Sequence, residues 1–365
     1  MSNSDKQTNQ YTDKRHRVAQ DPAIKKRNRF LFIGILAISI IFTIILSTGY
    51  ILRYVIPQEK VIVEIGESKY KRADMLKMLR VKQKNAEMIG STIKSSEEIF
   101  KALQNMIENE IIDQVAPSIG IAVTEGQVDI YVRDVFMPTY NSDESPDPVQ
   151  IEREFREIFN NYLNSVGLTE EEYKKFTRWS MLREQMRQFI GESVPTVAEQ
   201  VYLHRLMVMP DDEIDIIKKK FNDGIPFKYI VREFSKDNEE VIRRGGEIGW
   251  VPQGIFHEYD YIIFDLEPNL LSIESQSIET PPLLYFFMIS EKDPARKIAL
   301  EELEQLKTKA LNDWLNTKRK EFNVKATFNS EVHSWLSKQL QVSSLEKPKE
   351  KQSRLQKLGV LQGKK

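Results

Sequence analysis

Few side chains in this sequence can support nucleophilic or metal chemistry, and this excludes several classes of enzyme. The 365 residues include no cysteine, which excludes disulfides, cysteine-ligated zinc and thiol catalysis. The four histidines, at positions 16, 204, 257 and 333, are not paired at the spacing of metal ligands. We therefore expect neither a metal ion nor a cofactor.

Chemistry is most strongly indicated by the segment 234–266, which contains FSKD at 234–237, GGEIGW at 245–250 and FDL at 264–266. These motifs resemble the parvulin family of peptidyl-prolyl isomerases, and the resemblance covers about residues 200–292. The stretch LEPNLLSIE that follows is similar to a family turn in which Asn269 takes the place of a glycine. Asparagine tolerates the positive φ that such a turn requires.

The parvulin resemblance implies a reaction without a covalent intermediate. Parvulins speed rotation about X–Pro bonds, whose barrier is about 20 kcal/mol, by favouring the twisted amide over the planar one. Asp237 stands where the family has a polar cysteine or aspartate, and it is the catalytic candidate. The residues expected to bind the substrate proline are apolar or aromatic: Ile248, Ile255, Phe256, Tyr259 and Phe286.

Two positions depart from the family pattern, which usually has one histidine in the first strand and another near the end. Arg205 takes the first histidine position and His204 lies one residue earlier, so strand alternation predicts that His204 points to the opposite face. Both remain possible site residues. Phe286 replaces the second histidine. The alternative is therefore a parvulin-fold chaperone or scaffold without significant isomerase activity.

An uncharged apolar run at residues 30–52 precedes the rest of the chain. A helix rises about 1.5 Å per residue, so the run is long enough to cross a bilayer, and it predicts a transmembrane helix. Residues 1–29 carry eight basic and three acidic side chains and are predicted to be a disordered cytoplasmic segment. We expect an uncleaved, single-pass anchor in the cell membrane, with the main body outside the cytoplasm.

Beyond the anchor, the patterns predict an α+β protein in four parts. Residues 61–195 begin with a short strand and continue as amphipathic helices, and they resemble the N-terminal domain of SurA- and PrsA-type foldases. Residues 196–293 are the parvulin-like domain with a small antiparallel sheet, in which FHEYDYIIFDL is expected to be helical. Residues 295–340 are predicted to be C-terminal helices that pack on the helical domain, and 344–365 a disordered tail.

Charge and architecture together indicate the partners. The net charge is −1, but both ends of the chain are basic, so the region between them is acidic and poorly suited to nucleic acid. The sequence predicts a foldase that contacts the lipid bilayer through its anchor, binds unfolded or proline-containing exported polypeptides and isomerises their X–Pro bonds. A further rival is an anchored adaptor for one dedicated membrane partner, and the breadth of clients would distinguish the two.

Overall fold

The computed structural model describes residues 22–51, 55–93, 95–140, 147–210, 214–273, 275–276 and 282–345. The chain divides into two compact units. The first extends to Lys60 and includes Lys71–Ala73, and the second comprises Val61–Tyr70 and the chain from Asp74 onward. Residues 1–21 of the predicted cytoplasmic segment, Leu52 at the end of the apolar run and the tail from residue 346 lie outside the described residues.

The first unit is dominated by helix α1 (Pro22–Tyr50), which is followed by the short helix α2 (Ile56–Glu59). The side chains of α1 are described from Gly34 onward, and they are exposed. Across the part of the chain that the structure describes, no helix combines the length and the apolarity that crossing a membrane requires.

The second unit combines helices with two small sheets. Its elements up to the middle of the chain are β1 (Val61–Ile65), β2 (Ser68–Lys71), α3 (Arg72–Met88), α4 (Ser95–Val115), α5 (Glu125–Phe136), α6 (Pro148–Val166) and α7 (Glu170–Gly191). They are followed by β3 (Val197–Val208), α8 (Ile214–Asn222), α9 (Phe227–Phe234), α10 (Glu239–Arg243), β4 (Glu247–Pro252), α11 (Asp260–Ile263), β5 (Ser275–Gln276) and β6 (Leu284–Lys297). The last elements are α12 (Leu300–Glu321), β7 (Lys325–Ala326) and α13 (Ser330–Leu345).

Local sequence signals fix where two of the helices begin. Thr124 precedes α5 and Thr169 precedes α7, and each forms a capping box with the residue three positions later, Gln127 or Glu172. In each box the threonine hydroxyl accepts the backbone N–H of Gln127 or Glu172. The side chain of Gln127 or Glu172 in turn accepts the backbone N–H of the threonine. These exchanges satisfy backbone donors that a helix start otherwise leaves unpaired.

The main core of the helical part is built from both ends of the second unit. Its largest fully buried side chains come from β1, α3, α4 and α7 and include Ile62, Met75, Met106, Ile111 and Trp179. The last two helices, α12 and α13, complete the same core with Leu311, Leu315, Val332, Leu336 and Leu340. Strand β7 also pairs with β1, with Ala326 opposite Val63, so chain segments that are far apart in sequence close one core.

The second sheet is antiparallel, with the strand order β4-β3-β6-β5. Its two long central strands, β3 and β6, pair from Val197 opposite Lys297 to Val208 opposite Leu284. Two separate apolar clusters cover the two faces of this sheet. Helices α8 and α9 cover one face, and α11 with the turns around it covers the other.

The connection between β4 and β5 differs from the sequence expectation. The stretch FHEYDYIIFDL is helical only over Asp260–Ile263, and the residues before it form turns. Gly254, two residues before this stretch, has a φ of +102°, and its backbone N–H donates to the carboxylate of Asp260 at 2.8 Å. Asn269, expected to replace a turn glycine, has a φ of +64°, as predicted.

Candidate functional site

The face of the sheet opposite α8 and α9 carries the candidate site. Directly opposed residues of two antiparallel strands lie on the same face, and Leu203 is opposite Ile289 while Arg205 is opposite Phe287. The apolar cluster on this face contains Leu203, Phe287 and Ile289. Arg205 therefore lies on the same face of the sheet as this apolar cluster.

Three aromatic rings form the centre of this face. Tyr259, from the turns before α11, lies edge-on to Tyr285 at 5.6 Å between ring centroids and tilted over Phe287 at 5.2 Å. Tyr285 and Phe287 stack at 6.1 Å. Both tyrosines are half-buried, whereas Phe287 is fully buried, so the rings form an apolar surface that reaches solvent at the tyrosines.

Four of the predicted substrate-binding residues belong to this face. Ile248, Ile255, Phe256 and Tyr259 are all partly buried and pack against the same apolar cluster. They come from β4 and from the turns before α11, so the GGEIGW motif and the segment after it contribute to one surface.

Phe286 lies apart from the other predicted site residues. It is opposite Leu206 in the strand pairing, is fully buried and packs in the cluster beneath α8 and α9. Its neighbour Tyr285 is the residue of β6 that reaches the candidate site. Strand alternation in Tyr285–Phe286–Phe287 is the sequence signal that could have identified Tyr285, because a shift of one residue moves a side chain to the other face.

Arg205 and Asp237 form a buried ion pair at the edge of the aromatic rings. Nε of Arg205 donates to Oδ2 of Asp237 at 2.8 Å, and Nη2 lies 2.7 Å from the same oxygen as an ion-pair contact. The Asp237 side chain is 4% exposed and that of Arg205 is 19% exposed. The guanidinium carbon lies 5.7 Å from the centroid of the Tyr285 ring.

The double glycine of the motif positions the backbone of Arg205. The N–H of Arg205 donates to the carbonyl of Gly246 at 2.8 Å, and Gly246 has a φ of +87°. A Cβ atom at Gly246 would lie 2.6 Å from the carbonyl oxygen of Arg205, so a side chain there would separate the two segments. This close approach explains in physical terms why a glycine is required.

His204 points to the other face of the sheet, as strand alternation predicts. Its Nε2 is 3.3 Å from Oγ of Ser290, and its ring contacts Tyr202 at 5.6 Å and Phe227 of α9 at 6.4 Å. Burial lowers the pKa of the imidazole, although the carboxylate of Glu247 opposes this effect. His204 is therefore remote from the aromatic rings of the candidate site.

The turns that carry Ile255, Phe256 and Tyr259 rest against α12. A Cβ atom at Gly254 would lie 2.9 Å from Cδ2 of Leu306, so the side chain of Leu306 lies close against the turn at Gly254. Burial raises the pKa of Asp260, the carboxyl group that accepts the Gly254 N–H. One wall of the candidate site is thus supported by a helix of the helical part.

Chemically, this face can hold a small apolar ring against aromatic side chains and beside one charged hydrogen-bond donor. Within the ranges that the structure describes, no group of three or more histidine, aspartate or glutamate side chains is arranged to hold a metal ion.

Residues 22–187 match the family model of the SurA-like N-terminal domain. No curated protein matches the chain significantly. Among solved structures, the chain is similar to a peptidylprolyl isomerase (PrsA) from Bacillus anthracis, with 19% identity over 62% of this chain and 99% of that chain and a TM-score of 0.42.

Two further solved structures are similar over more of this chain. The foldase protein PrsA from Streptococcus pneumoniae is 14% identical, over 75% of this chain and 97% of that chain, with a TM-score of 0.31. A peptidylprolyl isomerase (PrsA) from Bacillus cereus is 16% identical, over 80% of this chain and 95% of that chain, with a TM-score of 0.33. The predicted resemblance to the SurA-type N-terminal domain is confirmed over residues 22–187.

Proposed function

We propose that this protein is a membrane-anchored foldase that binds unfolded exported polypeptides and isomerises their X–Pro bonds on the sheet face formed around Tyr259, Tyr285 and Phe287. The observation that carries this proposal is the half-buried aromatic surface beside the Arg205–Asp237 ion pair. A proline ring buried there would gain apolar and aromatic contacts, and a nearby charge can distinguish the twisted amide from the planar one.

The test is the isomerase rate of the full chain, measured with short X–Pro peptides. Uncatalysed rotation takes tens of seconds or longer, so a modest acceleration is measurable. We expect Tyr259→Ala to weaken peptide binding by about 1–3 kcal/mol, because it removes one wall of the aromatic surface. Tyr261→Ala is the matched control, because Tyr261 lies two residues away and is 74% exposed.

The second candidate function is a chaperone that uses the same surface without catalysis. It is favoured by the replacement of the family's two histidines and by the engagement of the Asp237 carboxylate with Arg205. A wild-type rate equal to the uncatalysed rate, together with retained binding of unfolded clients, would leave the chaperone as the function and remove the isomerase. Binding to one protein alone would instead favour an adaptor.

The anchor is part of the proposal. The described part of α1 exposes large apolar side chains on all sides, and a bilayer is the environment that would bury them: Ile35, Leu36, Ile38, Ile40, Ile41, Phe42, Ile44, Ile45 and Leu46. The apolar run itself begins at Phe30, before the first described side chain. The basic residues before the run favour a cytoplasmic N-terminus.

A protease test on spheroplasts checks the proposed orientation. Protease added outside should digest the second unit and leave a membrane-bound fragment that contains α1. Deleting residues 22–51 should release the protein from washed membranes. Complete protection of the second unit in intact spheroplasts would show that the orientation is wrong, and retention of the deletion variant in the membrane would show that the anchor is elsewhere.

A further inference from the structure

The two partners of the ion pair at the candidate site differ in solvent exposure, and so in whether they can contact a substrate. The side chain of Asp237 is almost completely buried, whereas that of Arg205 keeps about a fifth of its surface exposed. The arginine therefore lies between the carboxylate and the solvent.

The carboxylate of Asp237 is also fully engaged. Its Oδ2 atom accepts Nε–H of Arg205 and is in ion-pair contact with Nη2, and its Oδ1 atom accepts the backbone N–H of Asn238 at 2.8 Å and Nδ2 of Asn238 at 3.3 Å. A carboxylate has about four acceptor positions, so these donors occupy it. Asp237 is placed to hold Arg205 and not to contact a peptide.

Arg205, in contrast, keeps donors available. A guanidinium has five N–H groups, and the contacts with Asp237 use Nε and Nη2. No described residue accepts a hydrogen bond from Nη1. Because the guanidinium also lies beside the Tyr285 ring, these donors lie at the edge of the surface where we propose that proline binds.

A donor at this position suits the chemistry of X–Pro rotation. In the planar amide, resonance delocalises the nitrogen lone pair, so the nitrogen is a poor acceptor. When the bond is twisted, resonance is lost and the lone pair is localised on nitrogen. A hydrogen bond to that nitrogen therefore stabilises the twisted state more than the planar state, which is the condition for catalysis.

We propose that Arg205 is the catalytic donor of this site, giving a hydrogen bond from Nη1 to the prolyl nitrogen of the twisted amide. Asp237 is its positioning residue, and the rings of Tyr259 and Tyr285 hold the proline beside it. No covalent bond is made or broken. This inference rests on the proposed function and replaces the catalytic role predicted for Asp237 from the sequence.

Two nearly isosteric variants of the full chain separate the roles of the two charges. Arg205→Lys keeps the charge opposite Asp237 but has a single nitrogen, which cannot hold the carboxylate and reach the substrate together. Asp237→Asn keeps an oxygen that can accept from Arg205. We expect Arg205→Lys to lower kcat by about tenfold or more, since one hydrogen bond of 1.4 kcal/mol is tenfold in rate, with KM within about twofold.

Asp237→Asn weakens the hold on Arg205 but leaves the guanidinium donor in place, so it should lower kcat by less than Arg205→Lys does. His204→Gln should match wild type because His204 lies on the other face. Exchange NMR with an X–Pro peptide gives the rotation rate and the affinity in the same sample, so a loss of binding is separated from a loss of rate. The melting temperature of each variant shows whether it is folded. If Arg205→Lys does not fold, Asp237→Asn still tests the role of the ion pair.

The outcomes separate this inference from the proposed function. An active wild type whose rate is unchanged in Arg205→Lys, or falls further in folded Asp237→Asn than in Arg205→Lys, overturns the role of Arg205 and leaves the isomerase intact. A wild-type rate equal to the uncatalysed rate overturns both the role of Arg205 and the isomerase. A loss of kcat in Arg205→Lys with retained affinity, and a smaller loss in Asp237→Asn, supports the arginine as donor.

Discussion

Replacing Glu108 with alanine is expected to lower the free energy of unfolding by about 2–4 kcal/mol, because this carboxylate joins three helices inside the helical part. Glu108, on α4, is 5% exposed. It accepts Nη2 of Arg183 from α7 at 2.7 Å and Nη2 of Arg319 from α12 at 2.8 Å. Without it, two partly buried arginines lose a charged acceptor, and the three helices lose a shared contact.

Thermal and urea unfolding of the full chain measure this effect. The matched control is Asp313→Ala, which removes a carboxylate of α12 that pairs with Lys309 and is 61% exposed. Exposed pairs of this kind contribute less than about 1 kcal/mol. Equal stability losses in the two variants would mean that burial between the arginines adds nothing to the contribution of Glu108.

Several features of the fold could be predicted because they depend on neighbours in sequence. The capping boxes at Thr124 and Thr169 set the starts of α5 and α7 through contacts three residues apart. The opposite orientation of His204 and Arg205 follows from the alternation of side chains along a strand. The positive φ of Asn269 follows from the turn that its motif resembles.

The position of Phe286 could not be obtained in the same way. The family motif aligns it with a histidine, but which face a residue occupies depends on the register of β6 against β3. Phe286 is opposite Leu206, whereas Phe287 is opposite Arg205. Strand alternation indicates that Tyr285 and Phe287 share a face, but only the register shows that this is the face of Arg205.

The ion pair between Asp237 and Arg205 also could not be predicted from the sequence. The motif identifies the aspartate, and the strand pattern identifies Arg205, but 32 positions separate the two residues. Their contact depends on the packing of the segment after α9 against β3, where Lys236 N–H donates to the carbonyl of Met207 at 2.7 Å. Long-range packing of this kind decides whether a charged group is available to a substrate or is neutralised by a partner.

Ending the chain after residue 299 is expected to abolish cooperative unfolding of the helical part. This truncation removes α12, β7 and α13, which bury five aliphatic side chains in the core shared with β1, α3, α4 and α7: Leu311, Leu315, Val332, Leu336 and Leu340. Each fully buried side chain of this kind contributes about 1.5–3 kcal/mol. Their combined loss is comparable with the total stability of a typical domain, about 5–15 kcal/mol.

The truncation should also expose the apolar face that these helices cover, so increased binding of a hydrophobic dye and loss of the near-ultraviolet circular dichroism signal are the measurements. Ending the chain after residue 345 is the control, because it leaves α12, β7 and α13 in place. If the chain ending at 299 keeps the melting curve of the control, then β1, α3, α4 and α7 form a stable core alone. The helical part would then fold without α12. The remaining role of α12 would be the contact of Leu306 with the turn at Gly254, which supports the candidate site.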